Sequence, residues 1–321
     1  MNHLMKRIFS LSALLLSACL LLSACGGSAG TNDPANGASA ASSAAPSPSA
    51  PADSPAPTEE RIASLSIHLT NHLLALGLKP VGSAIGGDVK DFLPHVKDRL
   101  EGVEKLGVAA EPDLEAVLAL KPDRIFIDVQ QTAADQPRLE PIAPVVAIDL
   151  DQGTWRDHLR LVAKETGREP QAETFIADYE KQAAETSELI KSKLGADAKV
   201  MAIRMTAKEL RVMGMARPVG PLLYEDLALK PADGVENIGK AYEVISQEVL
   251  DDFDADAILV IISKGSEAKK NFELLESNPL WAGLKAVKNG HVYVLDGQKW
   301  LDYSSLGHKM ALDDAQKLFG S

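Results

Sequence analysis

The chain has 321 residues, 45% of them hydrophobic, and sets 45 acidic side chains against 33 basic ones for a formal net charge of -12. Such an acidic protein is a poor match for nucleic acid, whose phosphates demand a basic face. Its two cysteines, Cys19 and Cys25, both lie near the N-terminus, so the rest of the chain has no disulfide, thiol nucleophile or thiolate metal site.

In chain order, Lys6 and Arg7 precede an apolar run from Ile8 to Leu22 and then small residues. That is the pattern of a secretory signal peptide over residues 1–24. It ends Leu22-Ser23-Ala24-Cys25-Gly26, like the lipobox of a bacterial lipoprotein, and a second Leu-Ser-Ala-Cys string stands at Leu16 to Cys19. Cleavage before Cys25 is preferred, because cleavage before Cys19 would leave Leu20 to Leu22 at the new N-terminus. Residues 25–58 are nearly all Ala, Ser, Pro and Gly and cannot bury a core. As a flexible coil they would span roughly 30 Å.

Residues 59–168 read as an N-terminal lobe, with strands predicted over 61–67, 81–85, 124–128 and 145–149. Helices are predicted over 70–76, 112–120 and 155–166. Residues 169–195 then read as one long helix. Small and apolar residues at Ala172, Phe175, Ile176, Tyr179, Ala183, Thr186, Leu189, Ile190 and Leu194 form one stripe. Pro170 suits its first turn and Gly195 its end, and at 1.5 Å per residue it is roughly 37 Å long. An ordinary crossover helix within one sheet is the alternative, but its length and the self-contained patterns on either side favour a strut between two lobes. In the C-terminal lobe, residues 196–321, strands are predicted over 199–205, 211–215, 257–263 and 292–296. Helices are predicted over 218–229, 246–253, 279–287 and 304–319. The alternation predicts an α/β protein with mostly parallel sheets. One internal echo links the lobes: Glu115 to Asp123 and Glu248 to Asp256 are the same eight-residue step from a helix into a strand.

In open parallel sheets ligands bind beyond the carboxyl ends of the strands, which points to His68, Thr70, Asp88, Lys90, Gln130 and Gln131 in the N-terminal lobe and to Arg204, Met215, Arg217, Ser263, Lys264, Lys299, Trp300 and Tyr303 in the C-terminal one; two such edges facing each other make a cleft. Arg204 lies in an otherwise apolar strand and needs either an anionic ligand or an internal carboxylate. Trp300 and Tyr303 follow a strand and either stack on a planar ligand or pack the last helix. Lys90, Arg217 and Lys299 offer positive charge to the cleft, or else are solvated surface residues. His68 is a polar cleft contact or a lone metal ligand; His72 joins it on one helix face only if the helix begins early. Met213 and Met215 read as core or cleft wall. A literal G-x-S-x-G at Gly26 to Gly30 has no strand before it or helix after it, so it is not a hydrolase elbow.

Four stretches resemble the lipoprotein substrate-binding subunits of ABC importers for ferric siderophores, with relatives for haem and cobalamin. They are Arg61 to Ile67 with the segment running on to Gly82, Glu111-Pro-Asp-Leu-Glu-Ala-Val-Leu-Ala-Leu-Lys-Pro-Asp123, Val244 to Asp256, and Asn278-Pro-Leu-Trp-Ala-Gly-Leu-Lys-Ala-Val-Lys-Asn-Gly-His-Val-Tyr-Val294. The resemblance implies two Rossmann-like lobes joined by one backbone helix and a ferric chelate held between them. It also implies no catalysis, no cofactor and no protein-held metal. It places the chain on the outer face of the bacterial cytoplasmic membrane, lipid-anchored at Cys25. The monomer would dock to an ABC permease and its ATPase through Glu115 and Glu248. Ferric ion takes oxygen ligands from the chelator, and many such chelates are anionic, which suits Arg and Lys. Many members carry a second Arg where this chain has Thr206, which lowers the expectation of a triscatecholate and leaves citrate-like or hydroxamate ligands. A haem or cobalamin receptor is the alternative within the family, and an exported siderophore-opening hydrolase the alternative outside it.

Overall fold

The computed structural model describes residues 60–87 and 89–320; the signal peptide, Cys25 and the tether lie outside them, as does Asp88. The first sheet contains β1 (Ile62–Ser64), β2 (Gly82–Ile85), β3 (Glu104–Val108), β4 (Glu111–Pro112), β5 (Arg124–Asp128) and β6 (Val145–Ile148), in the order β4-β3-β2-β1-β5-β6. All its pairings are parallel except β3 with β4. The second contains β7 (Lys199–Met205), β8 (Leu210–Met213), β9 (Lys230–Pro231), β10 (Tyr242–Ile245), β11 (Ala257–Ile262) and β12 (Val292–Leu295). Its order is β10-β8-β7-β11-β12, with β9 beside β7; β7, β9, β11 and β12 are parallel, β8 pairs antiparallel with β7, and β10 pairs antiparallel with β8. Strands β5 and β11 are buried along nearly their whole length, which is why β11 and the centre of β5, Ile125 to Ile127, read as apolar runs without alternation.

The main helices are α1 (Ile67–Ala75), α2 (Leu114–Leu120), α3 (Trp155–Thr166), α4 (Glu169–Leu194), α5 (Ser266–Glu276) and α6 (Ser305–Phe319). The long helix α4 joins the two lobes and buries Ala172, Ile176, Tyr179, Ala183, Thr186, Ser187 and Ile190. The expected stripe is therefore its inner face. The two lobes share a starting device. Asp123, just before β5, accepts the backbone N–H of Arg61 at 2.8 Å and returns its own N–H to the Arg61 carbonyl. Asp256, just before β11, makes the same pair with Lys199, again at 2.8 Å. The echo read in the sequence is a repeated clamp between a lobe's first strand and β5 or β11.

Several boundaries differ from the sequence reading for local reasons. Helix α1 begins at Ile67 because Ser66 Oγ accepts the Leu69 N–H. Pro112 belongs to β4, and Asp113 caps α2 through the Ala116 N–H. The helix expected over 218–229 is a single π-helical turn, Pro221–Asp226. There a Cβ on Gly220 would stand 2.1 Å from the Met215 carbonyl, so only glycine permits the close turn. Residues Gln247–Phe253 wind as 3-10 helix, and the 279–287 helix breaks at Leu284 into Pro279–Gly283 and Lys285–Lys288.

The largest apolar cluster does not stop at a lobe boundary. It runs from Ile62, Leu69 and Phe126, through Tyr179 and Ile190 of α4, to Val200, Leu259 and Leu312.

Candidate functional site

Strand ends from the first sheet meet loops from the C-terminal lobe around a cavity of about 350 Å3. From the N-terminal lobe come His68 on α1, Asp128, Gln130 and Gln131 after β5, Leu150 and Asp151 after β6, and His158 on α3; Arg217, Pro218, Leu301 and Tyr303 complete the wall. Asp128 ends β5 and turns its carboxylate onto the Gln130 N–H, at 3.0 Å, and the Gln131 amide, at 3.0 Å. Gln130 Nε2 donates to Asp149 Oδ1 at 2.9 Å, and Asp149 also accepts the Asp151 N–H at 2.9 Å. These bonds hold the Asp149 carboxyl below its ordinary range. His158 donates from Nε2 to the Gln152 carbonyl at 2.7 Å, and burial keeps its imidazole below the usual value. Two short loops of the N-terminal lobe are thus fixed to one another before any ligand arrives.

Arg217 reaches across to that loop. Its guanidinium donates to the Leu150 carbonyl and to Asp151, and lies 5.5 Å from the centroid of the Tyr303 ring. Burial pushes the Tyr303 phenol upward. A second cavity, of about 420 Å3, is lined by Arg204, Ile262, Ser263, Lys264, Asp296 and Gln298 among others, and it shares Leu301 with the first. Arg204 is half-buried at the end of β7, and its Nε donates to Ser263 Oγ at 2.9 Å.

Other expected site residues stand elsewhere. Trp300 is 2% exposed, belongs to the main apolar cluster, and donates from Nε1 to Asp314 at 2.8 Å. Its ring packs the last helix and lines neither cavity, so the expected stacking platform is corrected to a core residue. Lys299 pairs with Asp296, which lines the second cavity, at 3.1 Å and with Asp314 at 3.5 Å, and is itself in neither lining. Lys90 is exposed in a left-handed turn after β2 and lines neither cavity. His72 does lie one turn from His68, since α1 begins early, but it is fully buried and bonded through Nδ1 to Ser305 Oγ at 3.0 Å. Among the described residues no group of His, Cys, Asp and Glu is arranged to hold a metal ion. Met213 is core, and Met215 packs beside the second lobe's core. Glu115 and Glu248 are exposed, near the starts of α2 and the 247–253 turn. The Ser246 side chain heads the contacts that lower the Glu248 carboxyl.

Of the first cavity's lining the sequence reading missed Asp128, Leu150, Asp151, His158, Pro218 and Leu301. Asp151 was legible as the first residues beyond a predicted strand end; His158, in mid-helix, carried no signal.

The family model for periplasmic binding protein matches residues 62–299. The chain is 29% identical to the probable siderophore-binding lipoprotein YfiY of Bacillus subtilis over 326 residues, covering 98% of this chain and 99% of that one. It is 30% identical to the iron(3+)-hydroxamate-binding protein FhuD of Bacillus subtilis over 304 residues, 92% of each chain. Among solved structures, SirA of Staphylococcus aureus complexed with staphyloferrin B superposes with a TM-score of 0.70 at 26% identity, over 81% of this chain and 93% of that chain.

Proposed function

The chain belongs to the periplasmic binding protein family, and from that premise we propose that it is the extracytoplasmic receptor of an ABC importer that captures a ferric siderophore. The observation that carries the reading is the cavity where one lobe's strand ends meet Arg217 and Tyr303 of the other. Ferric ion reaches such a site already wrapped in the hard oxygens of its chelator. The receptor's task is therefore to grip the chelator's periphery. Arg217 and Arg204 supply planar donor forks for carboxylate or catecholate oxygens. Tyr303 supplies an aromatic face, and His68, Gln130 and Gln131 supply polar edges. The relatives named for siderophores and ferric hydroxamate, and the neighbour complexed with staphyloferrin B, support the same class of cargo.

Titrating the protein with a panel of ferric chelates and following intrinsic fluorescence tests the reading; micromolar or tighter binding of at least one is expected. Binding of haem or cobalamin alone, seen in the visible spectrum, would replace it. The chelate's mass should be unchanged after incubation, since a binding protein releases what it took. The lipid anchor at Cys25 belongs to the same proposal. Two acyl chains hold a protein stably where one is marginal, so Cys25→Ala should free the protein from the membrane with ligand affinity intact.

A further inference from the structure

We infer that Asp151 is a resident competitor for the cleft's guanidinium, and that the Arg217–Asp151 pair makes the receptor select cargo by charge. The inference rests on the ferric-chelate reading and names the property of the chelate that matters. Among the described residues, Arg217 is the one arginine or lysine lining the first cavity. Its fork is engaged by the Leu150 carbonyl and the Asp151 carboxylate, both on the opposite lobe. The loop presenting that carboxylate is not slack. The Asp149 carboxylate accepts the Asp151 N–H at 2.9 Å and the Gln130 amide at 2.9 Å, the Asp149 carbonyl accepts the Gln152 N–H, and the Gln152 carbonyl accepts from His158 at 2.7 Å. On the other side, Arg217 lies beside the Tyr303 ring. The guanidinium is therefore held at the wall by an anion belonging to the protein.

An incoming oxyanion must take over from that carboxylate. A chelate with carboxylate or catecholate arms replaces one charge-assisted bond by another and pushes Asp151 into solvent, where its exposed side chain is readily hydrated. A chelate without net negative charge gains nothing at Arg217 and leaves the pair closed. Asp151 thus weakens binding of every anionic chelate by the strength of the pair it loses, and is indifferent to the rest. It is a specificity-determining residue acting through Arg217.

The test is a double-mutant cycle with Asp151→Asn, Arg217→Gln and the double variant. Each is titrated with ferric citrate as the anionic probe and ferrioxamine B as the probe lacking net negative charge. Exchange of the backbone amides of residues 150–153 is followed in the ligand-free proteins. Asp151→Asn is expected to tighten ferric citrate up to about fivefold, the range of an exposed ion pair, while leaving ferrioxamine B within twofold. In the Arg217→Gln background the gain should vanish. Exchange over 150–153 should rise in both single variants and rise no further in the double. A gain for ferric citrate that survives in the Arg217→Gln background would mean a general field effect and overturn the pairing. Exchange unchanged in the single variants would overturn it without any ligand. If no ferric chelate binds any variant but exchange shows the coupling, the pair stands and the ferric-chelate reading falls.

Discussion

Asp302 of the C-terminal lobe accepts a 2.9 Å bond from Nε2 of His95 in the N-terminal lobe, with both side chains only 2% exposed. The same oxygen, Oδ2, accepts from Asn71 Nδ2 at 2.7 Å. Burial alone would raise the Asp302 carboxyl, but His95 and the nearby His68 outweigh it and hold it below its ordinary range. The backbone at this point is equally constrained, since a Cβ on Gly307 would meet the Asp302 carbonyl at 2.2 Å. Asp302 sits between Leu301 and Tyr303, both of which face the cavity. The bond that keys one lobe into the other thus also sets the cavity's far wall.

Removing that carboxylate strands two buried donors. Asp302→Ala should lower stability by about 3 kcal/mol, the scale of a charged hydrogen bond lost together with unsatisfied partners. Urea unfolding of wild type, Asp302→Ala and Asp302→Asn measures it, with the asparagine variant expected between the other two. Equal midpoints in all three would show that the seam does not depend on this contact.

Acid should loosen the same seam. His72 is fully buried on α1, faced by His68 of its own helix, His158 on α3, and Ser305, His308 and Asp302 from the C-terminal lobe. Burial, then the neighbouring imidazoles, lower its pKa well below the ordinary value, and burial lowers that of His158. A histidine whose folded pKa is depressed is protonated more readily in the unfolded chain. Its contribution is fully present above the unfolded value of about 6.5 and is lost as pH falls below it. The stability of the wild type should therefore decline from about pH 6.5 downward. His72→Gln should be less stable at pH 7.5 but show a shallower decline to pH 5. A parallel decline in the variant would assign the acid sensitivity to other groups.

Trp300 and Tyr303 are three residues apart and should behave in opposite ways. Trp300→Phe loses the indole bond to Asp314 and part of a filled core site, so it should cost about 1–3 kcal/mol of stability and leave chelate affinity within twofold. Tyr303→Ala should weaken chelate binding several-fold. Affinity lost mainly through Trp300→Phe would restore it to the cleft.

Arg204→Ala should weaken an anionic ferric chelate by about 1.5–3 kcal/mol, the strength of a charge-assisted hydrogen bond, without unfolding the protein. Ser263→Ala, which removes only the partner that positions Arg204 Nε, should weaken it by about 1 kcal/mol or less. Titration of both variants with one chelate decides it; unchanged affinity in Arg204→Ala would make this arginine purely structural.

Delivery to the permease is tested away from the cleft. Glu115 and Glu248 are exposed on equivalent parts of the two lobes, with exposed Leu118 one turn beyond the first and Val249 beside the second. Each exposed ion pair with a permease would contribute roughly 0–1 kcal/mol, but two at fixed separation set orientation and encounter rate. Replacing both by Ala should leave chelate affinity and melting temperature unchanged yet impair iron uptake by cells, with partial defects in the single variants. Normal uptake at normal protein level would leave the pair without a docking role.

The sequence made some of this legible and hid the rest, for physical reasons. Strands β5 and β11 and helix α4 were plain because continuous burial and a 3.6-residue stripe leave strong patterns. Strands β3 and β10 were not anticipated, because they carry charged or exposed residues among few buried ones. Arg217 and Tyr303 were found by the rule that ligands gather at strand ends. Trp300 and Lys299 satisfied the same rule and were misplaced, because a short turn at Gly297–Trp300 directs them toward Asp314. The histidine seam gave no periodic signal at all, since its members come from α1, α3, α6 and two loops.

The apolar cluster that passes through α4 makes the two sheets a single cooperative unit. Neither half of the chain holds a complete set of partners for that helix: Tyr179 packs with Trp155 on one side and His308 on the other. A chain cut after Leu194 would expose the helix's second flank to water, and one begun at Lys199 would lack the helix altogether. Calorimetry of the intact protein should accordingly show one melting transition, and separately expressed halves should be recovered insoluble. Evolution can vary the loops of either lobe for new cargo, but it cannot exchange a whole lobe without rebuilding what the other one rests on.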